Sequence, residues 1–309
     1  MTASIPFRVK PMLATLVREP FDREGWSYEE KYDGYRILAY KEGGSVRLYS
    51  RNDIDRTSRF PKVAEAVRQL KATTLLLDGE VSVFDKAGVS RFQLMQRLQK
   101  DISVYAVFDC LYKDGRDLRR LPLAERRKIL EQIIKPAKAI MPSRRLANNG
   151  LEAFRVATKN KFEGLVAKNL ASPYVQGRSE LWLKVKVSQQ DEFVIGGFTA
   201  PSGTRNYFGA LLLGVYDRAG KLTYVGKVGT GFNEERLASL HKQFRPLVRR
   251  ESSFILAPRE KNTTFLAPKL VAQISYQEWT ADKKLRHPVF LGLRDDKAAR
   301  EVHSPEPAA

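Results

Sequence analysis

At 309 residues the chain is long enough for two domains, and 43% hydrophobic residues exclude a disordered polymer. With 54 Lys and Arg against 35 Asp and Glu, the net charge of +19 exceeds what solubility needs and points to a polyanion, nucleic acid first. The single cysteine, Cys110, excludes an internal disulfide, and no apolar run reaches the roughly 18 residues of a membrane span, so a cytoplasmic protein is expected.

Residues 1–25 read as an irregular leader, broken by Pro6, Pro11, Pro20 and Gly25. Strands are expected over 26–31, 35–40 and, after Gly43-Gly44, over 46–50. A helix follows, with Ser58 as its cap, Pro61 in its first turn, and Phe60, Val63, Ala64, Val67 and Leu70 on one face. Leu75-Leu76-Leu77 runs apolar into Asp78-Gly79-Glu80, and 103–112 reads as a buried strand holding Cys110. The segment 121–134 has helical periodicity with Arg126, Arg127 and Lys128 on its wet side, and 151–158 is a weaker helix. Strands at 164–168 and 181–187 complete a first domain, 1–189, whose irregular alternation implies antiparallel sheets with flanking helices.

Past Ser188-Gln189-Gln190 the texture changes. Strand-like runs at 193–198, 210–216, 222–228 and 271–279 recur between turns, Asp217-Arg218-Ala219-Gly220 among them, with one helix over 234–244. A second domain, 190–309, is expected to be a small β-barrel of the OB type, ending in a loose tail from His303. The fold class is therefore α+β.

The sequence carries neither a Gly-x-x-x-x-Gly-Lys-Ser/Thr phosphate loop nor a Gly-x-Gly-x-x-Gly fingerprint. It does carry Lys31-Tyr32-Asp33-Gly34-Tyr35-Arg36 between two strands. A lysine amine attacks phosphorus only when deprotonated, so its pKa must be lowered by burial or by nearby cations such as Arg36, Lys184 and Lys186. In Trp182-Leu183-Lys184-Val185-Lys186 the strand period sets both lysines on one face, which one solvated strand face explains equally. Glu80 and Glu163 each adjoin a glycine, which lets backbone approach a ligand, and the two carboxylates could hold a divalent metal or serve only as turn residues. Phe108 lies in an apolar strand, where packing and base stacking are both open to it.

Taken in order, Lys31-Tyr32-Asp33-Gly34, Ser50-Arg51-Asn52, Asp78-Gly79-Glu80, Phe108, Glu163 to Lys168, Trp182 to Lys186, and Arg286 to Lys297 resemble the nucleotidyltransferase motifs of ATP-dependent DNA ligases. The pattern is most similar to the ligase module of bacterial ligase D and its stand-alone relatives, over about residues 10–297. The large clasping domain of eukaryotic ligases and the polymerase and nuclease modules of full-length ligase D have no counterpart in this sequence. The resemblance implies that Lys31 forms a lysyl-AMP from ATP. It implies that Glu29 contacts the adenine amino group, Phe108 and Val166 sandwich the base, and Arg36 and Glu80 contact the ribose. It implies further that Arg51 contacts a phosphate or the DNA strand, Lys184 and Lys186 contact the α-phosphate, and Glu80 and Glu163 associate with Mg²⁺ or Mn²⁺. Arg294 and Lys297 are implied to orient the leaving pyrophosphate.

AMP would then pass to a 5′-phosphate at a nick or break in duplex DNA, and the 3′-hydroxyl would seal the strand. The implied setting is a bacterial monomer acting in DNA repair at the nucleoid, with a Ku-type end-binding protein as partner. RNA ligases and GTP-using capping enzymes share the lysine motif. A non-catalytic nucleic-acid-binding protein would explain the charge, but not the ordered lysines and glutamates.

Overall fold

The computed structural model describes residues 4–97, 102–187, 189–201, 203, 205–258 and 260–303. The expected loose tail, apart from His303, lies outside them. The chain forms two compact units that divide between Ser188 and Gln189.

Unit 1 stacks two sheets. Its strands are β1 (Met12–Val17), β2 (Trp26–Glu30), β3 (Tyr35–Glu42), β4 (Ser45–Ser50), β5 (Thr74–Ser82), β6 (Val104–Lys113), β7 (Arg116–Asp117), β8 (Ile140–Pro142), β9 (Arg145–Ala147), β10 (Gly164–Asn169) and β11 (Gly177–Lys186). Its helices are α1 (Pro61–Arg68), α2 (Phe92–Arg97), α3 (Leu123–Ile133) and α4 (Gly150–Lys159). The first sheet runs β1-β11-β10-β2-β9; the second runs β4-β3-β5-β6-β7, with β8 on β6. Between them lie Met12, Leu38, Tyr40, Leu76, Phe108 and Trp182, where alternate residues of both sheets meet. The outer face of the second sheet packs against apolar residues of α1 and α3, such as Val63, Val67 and Leu130. Ala153 of α4 covers the outer face of the first, with Tyr28, Leu165 and Val185.

Four expectations change here. The leader is not irregular throughout: β1 sits between Pro11 and Pro20 and pairs in parallel with β11, Met12 opposite Gly177. Its partner is distant in sequence, so no local pattern announces it. The sheets are mixed, because β6 and β8 are also parallel. Ser58 does not cap α1; it lies in a 3₁₀ turn over Thr57–Arg59, Phe60 is the N-cap without a side-chain bond, and Pro61 opens the helix.

The fourth change concerns α3. Lys128 is exposed, but Arg126 and Arg127 are buried. Arg126 grips Asp109 with two bonds, Nε to Oδ1 at 2.8 Å and Nη2 to Oδ2 at 2.9 Å, and Nη1 donates to the Ser172 carbonyl at 2.9 Å. Burial pushes the Asp109 carboxyl pKa up even against this arginine. A buried pair of this kind holds only while both partners are present.

Unit 2 carries β12 (Gln190–Thr199), β13 (Leu211–Tyr216), β14 (Leu222–Val228), α5 (Glu234–Phe244), β15 (Val248–Arg249), β16 (Thr263–Ser275), β17 (Glu278–Trp279), β18 (Leu285–Arg286) and β19 (Val289–Leu293). Its main sheet runs β14-β13-β12-β16-β15, with β19 on β16. The helix α5 spans the expected residues, capped by the Asn233 side chain, and buries Leu237, Leu240 and Phe244. The Asp217 turn closes with Gly220 at φ +73°, a left-handed conformation that favours glycine. The strand expected over 271–279 is instead the end of the longer β16, followed by β17. The β12–β16 register breaks between Ile195 and Gly197, where Leu270 and Phe265 are the partners, so Pro268 falls in the irregular stretch and disguises the strand in sequence. Among the described residues no helix is long and apolar enough to cross a membrane.

Candidate active site

The first sheet assembles the lysine site by register. Val166 lies opposite Glu29 on one side and Lys184 on the other. One step on, the Lys31 backbone N–H donates to the Gly164 carbonyl at 3.1 Å, and Gly164 lies opposite Lys186. Side chains directly opposite share a face. Glu29, Lys31, Val166, Lys184 and Lys186, spread over 158 positions in the chain, therefore share the face turned to the second sheet.

On the second sheet Arg36 lies opposite Glu80. Arg36 holds Asp78 in a fork, Nε to Oδ1 at 2.6 Å and Nη2 to Oδ2 at 2.7 Å, and Nη2 also donates to the Met12 carbonyl at 3.0 Å. The Tyr174 hydroxyl donates to the same Asp78 at 2.6 Å. Arg51 sits in the turn after β4, where the Ile37–Ser50 pairing sets it beside the Arg36 end of β3.

Lys31 Nζ bonds Glu163 Oε1. Burial would lower the lysine pKa, but Glu163, Asp33 and Glu80 outweigh it and hold the pKa above the ordinary value. This corrects the expectation that neighbouring cations depress it: in this state carboxylates dominate and Lys31 is a stabilised ammonium. The glycines beside the two glutamates also differ from expectation. A Cβ on Gly79 would meet the Tyr105 ring and the Ala106 carbonyl; one on Gly164 would meet the Val185 carbonyl. They admit neighbouring protein atoms rather than a ligand.

Phe108 is buried between layers, edge-on to Trp182 at 5.8 Å. The Arg36 guanidinium lies 4.4 Å and the Lys168 ammonium 4.3 Å from its ring centre. Phe108 and Val166 thus project from facing sheets, and the ring is covered rather than open. Glu29 is buried and accepts from Lys168 Nζ at 2.9 Å and Ser143 Oγ at 2.5 Å. Burial opposes its ionisation, yet Lys168, Arg127 and Ser143 hold its pKa below the ordinary value. Asp78, Lys168, Tyr174, Arg127 and Ser143 join the site without a role implied for them by the sequence motifs. Asp78 and Lys168 stood inside the quoted motifs, and a lysine among apolar strand residues was a usable signal; the other three gave none.

Glu30 points the other way, into the outer core. Neither carboxylate oxygen has a hydrogen bond, Arg144 Nη1 is 3.3 Å away, and burial pushes the pKa up to about 7. A carboxyl raised in the fold above its unfolded value costs nothing below the unfolded pKa and destabilises as pH rises through the folded one. The cost is complete above pH 7, at about 3 kcal/mol for this shift. Glu30→Gln should therefore raise the melting temperature by several degrees at pH 8 and by much less at pH 5. A difference independent of pH in paired thermal melts would refute the assignment.

In unit 2, Arg294 forks Asp296 with two 2.8 Å bonds, donates to Gln273 at 3.1 Å and lies 3.5 Å from Glu192. Lys297 Nζ is 3.1 Å from the same Glu192. Both cations are thus held by carboxylates of their own unit. Among the described residues no three His, Cys, Asp or Glu side chains cluster as a metal cage.

The family model described as ATP dependent DNA ligase domain matches residues 11–186, and that described as ATP dependent DNA ligase C terminal region matches residues 204–297. The chain is 38% identical to the multifunctional non-homologous end joining protein LigD of Pseudomonas aeruginosa, over 98% of its own length and 37% of that protein's. It is 34% identical to a DNA ligase of Thermococcus fumicolans, over 96% of the chain and 58% of the relative. It thus spans less than two-thirds of either relative. Among solved structures, a mycobacterial DNA ligase D complexed with ATP and MES is similar at a TM-score of 0.72 and 36% identity, covering 96% of this chain and 99% of that one. The ligase domain of Mycobacterium tuberculosis LigD follows at 0.56 and 37%, covering 97% and 100%. With these matches the fold class is a nucleotidyltransferase domain of mixed sheets followed by an OB-fold domain.

Proposed function

Because this chain belongs to the ATP-dependent DNA ligase family, we propose that it seals nicks or breaks in duplex DNA through an AMP carried on Lys31. The observation that carries the reading is the row Glu29–Val166–Lys184 with Lys31 and Lys186 beside it, all on one inward face. Lys31 Nζ attacks the α-phosphorus of ATP, the bond to pyrophosphate breaks, and Lys184 and Lys186 offset charge on the α-phosphate oxygens. Glu163 holds the lysine ammonium and is the group in place to draw off its proton. Glu29, fixed by Lys168 and Ser143, meets the adenine amino group, Phe108 and Val166 flank the base, and Arg36 and Glu80 meet the ribose, with Asp78 and Tyr174 aiming Arg36.

A divalent ion fits Glu80 and Glu163, whose charges both act on Lys31, because Mg²⁺ takes one or two carboxylates and leaves the remaining positions to phosphate and water. Such an ion, Mg²⁺ or Mn²⁺, would supply charge stabilisation for the phosphates. Transfer of AMP to a DNA 5′-phosphate and its displacement by the 3′-hydroxyl complete the cycle. The names of the relatives point to end joining, which makes a Ku-type end-binding protein a partner to test.

The deciding experiment is sealing of a 5′-labelled nicked duplex with ATP or GTP and with DNA or RNA strands. Sealing of DNA with ATP alone supports the reading; a requirement for GTP or RNA would favour the rival enzymes. Affinity for the nick should fall at least about tenfold between roughly 50 and 200 mM salt, because each neutralised phosphate releases counterion. A flat salt dependence would mean that the +19 charge does not contact the DNA backbone.

A further inference from the structure

We propose that the tip of the β3–β4 hairpin, on the same sheet face as Arg36 but at the opposite end of β3, binds one unpaired nucleotide of a single-stranded extension next to a DNA break. This rests on the DNA ligase reading and adds a site to it. The hairpin bears a cavity of about 300 Å³ lined by Phe7, Tyr40, Glu42, Ser45, Arg47 and Tyr49. Cross-strand register builds it: Tyr40 lies opposite Arg47 and Glu42 opposite Ser45. The strand period sets Ser45, Arg47 and Tyr49 on one face, and the same stripe leads towards Arg51, the residue implied to contact a phosphate or the DNA strand.

Three rings form the wall. Phe7 meets Tyr40 and Tyr49 edge-on at 5.9 Å each, and the two tyrosines meet at 5.6 Å. The Val9 backbone N–H donates to the Tyr40 hydroxyl at 3.0 Å, so the leader is tied to the hairpin. Packing alone does not explain Phe7, which remains 61% exposed. Aromatic faces beside arginines are the means by which proteins hold single-stranded nucleic acid, since every base offers a stacking face.

Charge sets the direction of the nucleotide. Arg47 pairs Asp55 at 3.5 Å and Arg8 pairs Asp53 at 3.0 Å, both exposed. Such surface pairs are weak and give way to a phosphate. Glu42 at the other end repels phosphate and can accept from the exocyclic amino group of a base. The phosphate therefore lies towards Arg47 and the base towards Glu42. A base pair within duplex hides the faces that this cavity needs, so an unpaired end is the occupant.

The test uses the full chain and two labelled DNAs, a nicked duplex and a duplex with a short single-stranded extension. Tyr49→Ala should weaken binding of the extended duplex about 5- to 150-fold, the range found when a stacking aromatic is removed. Arg47→Gln should weaken it too. Binding and sealing of the nick should stay within about twofold of the parent, and Phe7→Ala should reproduce the loss while thermal melts report folding. Equal losses on both DNAs, or a lowered melting temperature with unchanged affinity for the extension, would overturn the site. A parent that seals nicks but whose hold on the extension ignores Tyr49 refutes the site alone. A parent that seals no nick, yet grips the extension through Tyr49, refutes the ligase reading and leaves the site standing.

Discussion

Lys31→Arg is expected to abolish transfer of label from α-labelled ATP to the protein while leaving the melting temperature close to that of the parent. The substitution keeps the positive charge opposite Glu163. It replaces an amine that can lose its proton with a guanidinium that does not at any working pH. Glu163, Asp33 and Glu80 hold the Lys31 pKa above the ordinary value despite burial, so the attacking amine must be generated on the enzyme, and arginine removes that option. The loss should be complete within detection, beyond about a thousandfold, since the covalent intermediate has no other nucleophile in this assignment. Arg51 and Arg36 are unaffected, so sealing of DNA that already carries a 5′-adenylate should survive in part. Label on the Lys31→Arg protein would end the assignment.

The second expected result separates the chemical steps. The resemblance gives Arg294 and Lys297 the departing pyrophosphate, whose charge grows in the transition state. Removing both should slow reaction with ATP by about 2–4 kcal/mol, roughly 30- to 1000-fold, if one preorganised contact is a guide. Sealing of pre-adenylated nicks should be spared, because the β- and γ-phosphates are then gone. The structure sharpens the design. Arg294 forks the buried Asp296, so Arg294→Ala removes both of those bonds from a buried carboxylate and costs stability of its own. Lys297 reaches the half-buried Glu192 at 3.1 Å and is not part of the buried fork, so Lys297→Ala is the cleaner single change. Glu192→Gln weakens the hold on both cations, and adenylylation should then be unchanged or faster. Equal losses in adenylylation and in sealing of pre-adenylated nicks would show that the pair only packs its segment.

Local pattern was enough for most elements, and the reason is physical. Gly220 marks a left-handed turn, Asn233 caps α5 and places its apolar stripe, and apolar runs such as 75–77 and 103–112 have few alternatives to a buried strand. The order of the lysine and glutamate motifs was equally readable, because each motif is short and contiguous. What depended on the tertiary structure is whatever pairs residues far apart in the chain. The parallel partner of β1 lies more than 150 residues away, so a leader bounded by prolines concealed a strand. Arg126 and Arg127 sit on a helix face that helical periodicity assigns to water; Asp109, Ser172, Ser143 and Glu29, brought in by other elements, make their burial tolerable. The charge state of Lys31 was likewise invisible. The nearest cations in sequence suggested a lowered pKa, whereas folding sets Glu163, 132 positions away, directly on its amine. Glu29 and Glu30 show the same limit at its smallest scale. They are identical neighbours, but the strand turns one into a network of cations and the other into an apolar core.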